Sequence, residues 1–350
     1  MNLKALGWNE RLEEAFAAYK AEGFIAARVA LEHKEMYQLY TESGETLGEI
    51  TGNFRFRAYD REDYPAVGDW VAVKEQPGGQ KASIYAILPR QSKFSRKAAG
   101  TDVSEQIIAA NVNTVFLVNA LNHDFNVRRI ERYLTITWES GANPVIILSK
   151  ADLCADIEEK IAEVETVAFG VPVHVISAAR NEGLEELERY FQQNETVALL
   201  GSSGVGKSTL INRLYGEDIQ SVKEIREDDG RGRHTTTHRE LILLPGGGIL
   251  IDTPGMRELQ LWESEESLSH SFADIEELAD QCRFRDCRHE SEPGCAVKSA
   301  IEDGHLDESR FNNYLKLQRE LAFLERKNNK KARLEEKERR KRTTKAHRQK

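Results

Sequence analysis

Apolar and polar positions along the chain follow three successive rhythms. In Asn9–Lys20 the apolar residues Leu12, Ala15, Phe16 and Tyr19 recur at helical spacing and predict a short amphipathic helix. Between Phe24 and Leu88 the period shortens. FIAARVAL, EMYQLYT, ETLGEIT, GDWVAVK and ASIYAIL are β-rich runs divided by Gly, Pro, Asp and Ser. Beyond Glu105 strands and helices alternate: Glu105–Asn111 leads into strand Thr114–Ala120, then come helix Val127–Ser140, strand Pro144–Leu148, helix Ile157–Phe169, strand Val171–Ile176 and helix Gly183–Phe191. After residue 255 the pattern turns acidic and helical, over Ser264–Ala279, Ala296–Gly304 and Asp307–Leu324.

Each rhythm implies an architecture. Five short strands in succession predict a small barrel, and an OB-fold is the first choice. Within it Asn53-Phe-Arg-Phe-Arg57 interleaves aromatics with arginines. That suits base stacking with phosphate contact, unless Phe54 and Phe56 belong to the barrel core. Leu88–Lys97 is basic and Ser-containing and reads as a linker. Alternating strands and helices imply βαβ units and a mostly parallel sheet. Ligands of such sheets bind beyond the carboxyl ends of the strands.

At one such end lies VALLGSSGVGKSTL. The buried strand Val197–Leu200 runs into Gly201, Ser202, Ser203, Gly204, Val205, Gly206, Lys207 and Ser208, which fill every fixed position of G-x-x-x-x-G-K-[ST], and Thr209 continues into a helix over Ser208–Leu214. Glycines let backbone N–H groups close around phosphates at a helix N-terminus. Lys207 should reach the β- and γ-phosphates, and the Ser208 hydroxyl should ligate Mg2+. Downstream, strand Gly248–Asp252 ends in Asp252-Thr-Pro-Gly255. Asp252 is placed to hold Mg2+ through water, and the Gly255 N–H to contact the γ-phosphate. Between the two, Gly230–His238 is Gly- and hydroxyl-rich, as a switch loop closing over the metal would be, with Thr236 its candidate ligand.

Two further boxes address the base. Ser149-Lys150-Ala151-Asp152 follows a strand and resembles the N-K-x-D box in which Asp pairs with the guanine ring N–H and exocyclic amine. Ser177-Ala178 follows another strand and resembles the S-A box, whose backbone N–H contacts the guanine oxygen. Five elements at strand ends favour GTP over ATP. Both base boxes precede the phosphate loop, the reverse of Ras-like order, so the domain reads as a circularly permuted GTPase. Two departures matter. Ser149 replaces the usual Asn, which predicts weaker bracing of the phosphate loop. Met256 stands where the water-orienting Gln is expected, so intrinsic hydrolysis should be slow, and His234 is the candidate catalytic group beside Lys207.

Composition adds the partners. The 350 residues carry 31% charged side chains and a net charge of −9. The tail Arg326–Lys350 holds thirteen Lys and Arg against three Glu, so it is +10 and the remainder −19. Such a tail is commonly solvated and binds nucleic acid through phosphates. No 18-residue apolar run or signal-peptide core is present in the sequence, which predicts a cytoplasmic protein with no membrane partner. Three of the four cysteines lie in Cys282-x4-Cys287-x-His289-x5-Cys295. Three thiolates and an imidazole complete a tetrahedral shell, so one structural Zn2+ is expected. Cys154 stands apart and reads as a small apolar residue.

Taken together, Gly201–Thr209, Gly232-Arg-His-Thr-Thr-Thr237, Asp252–Gly255 and the Cys282/Cys287/His289/Cys295 set resemble the RsgA (YjeQ/YloQ) family of bacterial ribosome small-subunit biogenesis GTPases. The resemblance implies an OB-fold-like barrel with its N-terminal helix over 1–97, a permuted α/β GTPase domain over 98–260, a zinc-knuckle helical domain over 261–325 and a basic tail over 326–350. It also implies binding of a monomeric protein to the 30S subunit and its 16S rRNA, with GTP hydrolysis stimulated by that subunit and timing release. A permuted GTPase of the large subunit or of another structured RNA, or an RNA-binding scaffold with a weak GTPase, are the alternatives.

Overall fold

The computed structural model describes residues 1–33, 36–76, 81–97, 105–219, 240–252, 268–269, 271–290, 292–323 and 326. They fall into two compact units, one drawn from Met1–Ala99 and Ser104–Gln260, the other including the residues after Leu261.

All five barrel strands form where the short-period pattern predicts them. They are β1 (Ile25–Glu32), β2 (Tyr37–Thr41), β3 (Gly44–Ile50), β4 (Trp70–Glu75) and β5 (Lys81–Ile87). Neighbours run in the order β1-β2-β3-β5-β4, and β4 pairs back onto β1, closing the ring. Only β3 with β5 is parallel. Val29, Leu39, Val71, Val73 and Ile84 fill the interior. Gly48 is required there: a Cβ would lie 2.5 Å from Leu39 Cδ1. The predicted first helix, α1 (Glu10–Ala21), is capped by the Asn9 side chain and, with the segment before it, packs on Ala26, Trp70 and Ala72, the face of β1 and β4 opposite the interior residues. Trp8 packs edge-on to Trp70 at 4.7 Å.

Asn53–Arg57 lies in a short helix, α2 (Gly52–Arg57), capped by Thr51, rather than in a strand. Phe54 turns toward the barrel core while Phe56 is 88% exposed. Leu88–Lys97 is likewise no simple linker. Its second half is β6 (Lys93–Lys97), paired antiparallel with β7 (Glu105–Ala110). Lysines and arginine mask a largely buried stretch in which Ser92, Phe94 and Ser95 are buried and Lys93 exposed.

The nucleotide half of the sheet, continuous with the barrel through β12 and β1, holds β8 (Thr114–Ala120), β9 (Asn143–Ser149), β10 (Val173–Val175), β11 (Thr196–Leu200), β12 (Glu240–Leu243) and β13 (Ile249–Asp252) in the order β10-β9-β8-β11-β13-β12. Every pairing is parallel except β12 with β13. Helices α3 (Val127–Ser140), α4 (Ile157–Glu165) and α5 (Lys207–Tyr215) are connections of the predicted βαβ pattern. The helix predicted over Gly183–Phe191 forms as a 3-10 helix, Glu185–Asn194. Its start is constrained by Gly183, where φ is 73° and a Cβ would lie 2.4 Å from Val175 O. The central strands β8 and β11 are wholly buried, as continuous apolar runs in a two-faced parallel sheet should be.

Barrel and nucleotide sheet are joined at more than one place. Leu31 at the end of β1 pairs with Glu240 of β12. Deeper, the fully buried Arg28 donates to Gly68 O, Leu6 O, Asn111 O and Thr196 Oγ1, so one guanidinium gathers the N-terminal segment, two loops and the foot of β11.

In the second unit, helices Ala273–Asp280 and Ala296–Glu302 and a helix over 308–323 surround Phe272, Ile275, Val297, Phe311 and Leu317. Phe311, Tyr314, Leu317 and Leu321 of the last helix are therefore core. No helix of the described residues is long and apolar enough to cross a membrane.

Candidate active site

The phosphate loop occupies the predicted place, between the end of β11 and the start of α5. Its glycines have distinct jobs. Gly204 and Gly206 adopt φ of 77° and 102°, which L side chains resist. At Gly201 a Cβ would sit 2.4 Å from Val118 O, so the loop can press against β8 only without one. Val205 points into the core and anchors the turn. Lys207 Nζ curls back across the loop and donates to Gly201 O and Ser202 O, each at 2.7 Å. Ser203, Ser208 and Thr209 are half-buried around it.

The base boxes converge on the same end of the sheet. Ser149 ends β9 and its Oγ donates to Val205 O at 2.6 Å. A hydroxyl at this short distance ties the base box directly to the phosphate loop. Lys150 turns through the left-handed region at φ 59°, and Ala151 N then donates to Ile176 O at 3.1 Å. This draws the box against the following strand, where Ser177 Oγ donates to Asp152 Oδ1 at 2.6 Å. One carboxylate oxygen of Asp152 is thereby fixed by the S-A box. Ala178, nearly buried, is held through its carbonyl by Arg213 Nε of α5 at 3.0 Å.

Asp252 closes β13, the strand beside β11, and is 5% exposed. A carboxylate there and the Ser208 hydroxyl at the head of α5 are a hard oxygen donor set, chemically suited to Mg2+. Thr236, His234 and Gly255 lie outside the described residues. Sequence reasoning missed two contributors. Arg213 carries no motif. Asp124, whose Oδ2 accepts from Ser202 Oγ at 2.5 Å, announces itself only as an acidic residue in a strand-end loop.

Apart from this site, Cys282, Cys287, His289 and Cys295 bring their ligand atoms within 4.8 Å of one another. Cys282 Sγ is 3.9 Å from Cys295 Sγ, and His289 Nδ1 is 3.7 and 3.3 Å from those two sulfurs. A tetrahedral zinc with ordinary bond lengths separates sulfurs by ~3.8 Å and sulfur from nitrogen by ~3.6 Å. The cluster fits such an ion with no position left open. His289 reaches it from a left-handed backbone at φ 58° and packs edge-on against Phe311. Burial lowers its pKa, favouring the neutral imidazole that binds metals. Desolvation, together with the Cys295 and Cys282 sulfurs, pushes the Cys287 thiol up to about 11. A divalent cation would offset the cost of gathering three thiolates.

A family model described as RsgA GTPase matches residues 87–262. A protein named small ribosomal subunit biogenesis GTPase RsgA 1 from Oceanobacillus iheyensis is 50% identical over 319 residues, 91% of each chain. The Opitutus terrae protein named small ribosomal subunit biogenesis GTPase RsgA is 47% identical, covering 93% of this chain and 92% of its own. Among solved structures, YjeQ from Thermotoga maritima superposes with a TM-score of 0.63 at 29% identity, over 85% of this chain and 99% of that one. YloQ, described as a circularly permuted GTPase, does so at 0.59 and 26%, over 88% and 96%.

Proposed function

This chain belongs to the RsgA GTPase family, and from that premise we propose that it binds the 30S ribosomal subunit with GTP, promotes its late maturation and leaves after hydrolysis. The observation that carries the reading is the convergence of Ser149, Asp152, Ser177 and the phosphate loop through two hydrogen bonds of 2.6 Å. Near-complete coverage of relatives named for small-subunit biogenesis supports the partner and disfavours the large subunit or a vestigial scaffold.

In this reading Asp152 accepts from the guanine N–H and amine with the oxygen that Ser177 leaves, and the Ala178 N–H faces the guanine oxygen. Lys207 leaves the carbonyls of Gly201 and Ser202 for the β- and γ-phosphates. Gly201, Ser202, Ser203, Gly204, Val205, Gly206, Ser208 and Thr209 form the cradle, Lys150 lines the base, and the Gly255 N–H meets the γ-phosphate. Ser208, Asp252 and Thr236 would hold Mg2+, which when bound neutralises charge on the phosphate oxygens. His234 is the group we assign to orienting water in place of the missing Gln. Cys282, Cys287, His289 and Cys295 would hold one structural Zn2+. Around α2, Phe56 and Tyr59 are 88% and 96% exposed beside the exposed Arg55 and Arg57, a surface suited to stacking on 16S rRNA with phosphate contact. A cytoplasmic monomer completes the proposal.

Purified protein is to be assayed for GTP and ATP hydrolysis alone and with 30S subunits, 50S subunits or tRNA. GTP turnover raised by 30S alone is the expected result. Preference for ATP would overturn the assignment of Asp152, and equal stimulation by every RNA would remove the small-subunit partner.

A further inference from the structure

Asp124 lies in the loop between β8 and α3 and belongs to none of the motifs above. Its place is firmly built. Asn122 Oδ1 accepts from Asp124 N at 3.0 Å, and Asn122 O accepts from Phe125 N at 2.9 Å. Asn126 then caps α3 by accepting from Arg129 N at 2.9 Å. One turn into the helix, Arg129 reaches back with NH1 to Asp124 Oδ1 at 3.1 Å and with NH2 to the Asp124 carbonyl. The other carboxylate oxygen, Oδ2, accepts from Ser202 Oγ at 2.5 Å, across 78 residues of sequence. Ser202 is 5% exposed, and its carbonyl accepts from Lys207 Nζ. A continuous relay thus runs from α3 through Arg129, Asp124 and Ser202 to the phosphate-loop lysine.

A carboxylate at the edge of a phosphate site repels the ligand unless something requires it. Pairing with Arg129 cancels its charge, and a charged acceptor holds a hydroxyl more firmly than a neutral one. We infer that Asp124 is a positioning residue for GTP: braced by Arg129, it fixes Ser202, and through it the first turn of the phosphate loop, in the geometry that receives the phosphates. The inference rests on Gly201–Ser208 being the phosphate site. Asp124 braces the loop equally for GDP and GTP, so its removal weakens binding of both and leaves the bound complex's turnover intact.

Full-length Asp124→Ala, Asp124→Asn, Ser202→Ala and the double alanine variant are to be compared with the parent in GTP turnover and in release of fluorescent N-methylanthraniloyl-GDP. Asp124→Ala should raise KM for GTP and the GDP release rate about tenfold, the loss of one charge-assisted hydrogen bond, with kcat within about twofold. Asp124→Asn, which keeps an acceptor, should recover most of the loss. Ser202→Ala should match Asp124→Ala, and the double variant should be no worse than either. Unchanged KM and release rate in Asp124→Ala would overturn the inference, even if its melting temperature fell. So would additive losses in the double variant. Lys207→Ala separates the two readings: if it too binds GDP like the parent, the phosphate-site assignment itself fails, whereas loss of binding in Lys207→Ala alone leaves that assignment standing.

Discussion

Replacing Arg28 with Met tests what joins the barrel to the nucleotide sheet. The guanidinium is 1% exposed and stacks 5.6 Å from Trp70. Desolvation lowers its pKa, opposed by the charge of Asp69, which is itself buried and gripped by Arg90 through two contacts of 2.8 Å. Met keeps the unbranched stem and removes every donor. The carbonyls of Leu6, Gly68 and Asn111 and the Thr196 hydroxyl then lose the donor Arg28 supplies. Gly68 O keeps a donor in Asn111 Nδ2, so at about 1 kcal/mol for each of the other three buried acceptors, the loss is about 3 kcal/mol. Relief of the buried charge returns part of it, so the net cost should be about 2 kcal/mol. For a unit of this size that lowers Tm by about 6 °C. Calorimetry and urea melts followed by tryptophan fluorescence read the change directly. A second, lower transition should also emerge as the barrel loosens from the sheet. A Met variant within about 1 kcal/mol of the parent, melting in one step, would refute the claim that these hydrogen bonds hold the junction.

Ser149→Ala should weaken GDP binding about tenfold in a fluorescence titration, because the Val205 carbonyl loses its 2.6 Å donor, while Ser149→Asn should stay close to the parent. Cys295→Ser, or a strong chelator, should abolish zinc in elemental analysis and reduce helical circular dichroism from the second unit, since structural zinc contributes on the order of 10 kcal/mol to small domains; GDP binding should persist. Burial, with Glu105 nearby, pushes Glu62 up to about 6 from 4.5, so the folded form holds this proton more tightly than the unfolded chain. The stability it contributes is full below pH 4.5 and is lost as pH rises through about 6. Glu62→Gln should therefore be the more stable protein at pH 7.5 and lose that advantage by pH 4.5; with 43% of the side chain exposed the gain stays under about 1 kcal/mol. A gain that grows on acidification would contradict the sign.

Local pattern carried much of this protein's organisation. Five barrel strands, the amphipathic Val127–Ser140 helix and the phosphate loop were legible because period, caps and glycine spacing act over a few residues. Cys282, Cys287, His289 and Cys295 were legible for the same reason, as all four lie within one short segment. Where composition and structure disagree, composition misleads: basic Lys93–Lys97 hides a strand, and Phe54 and Phe56, two residues apart, resemble one kind of position although a helix sends them to different surroundings.

Contacts between distant segments had no local signature. Nothing around Ser149 says that its hydroxyl would reach Val205, 56 residues away, nor that Asp124 would meet Ser202 or Arg28 would meet Thr196. Such bonds exist because parallel strands bring loops of unrelated sequence to one edge of a sheet, and because the closed barrel buries a guanidinium that only carbonyls from other segments can satisfy. Residue type and spacing therefore specified which chemistry the chain carries, whereas strand order and burial specified which side chains hold that chemistry in place.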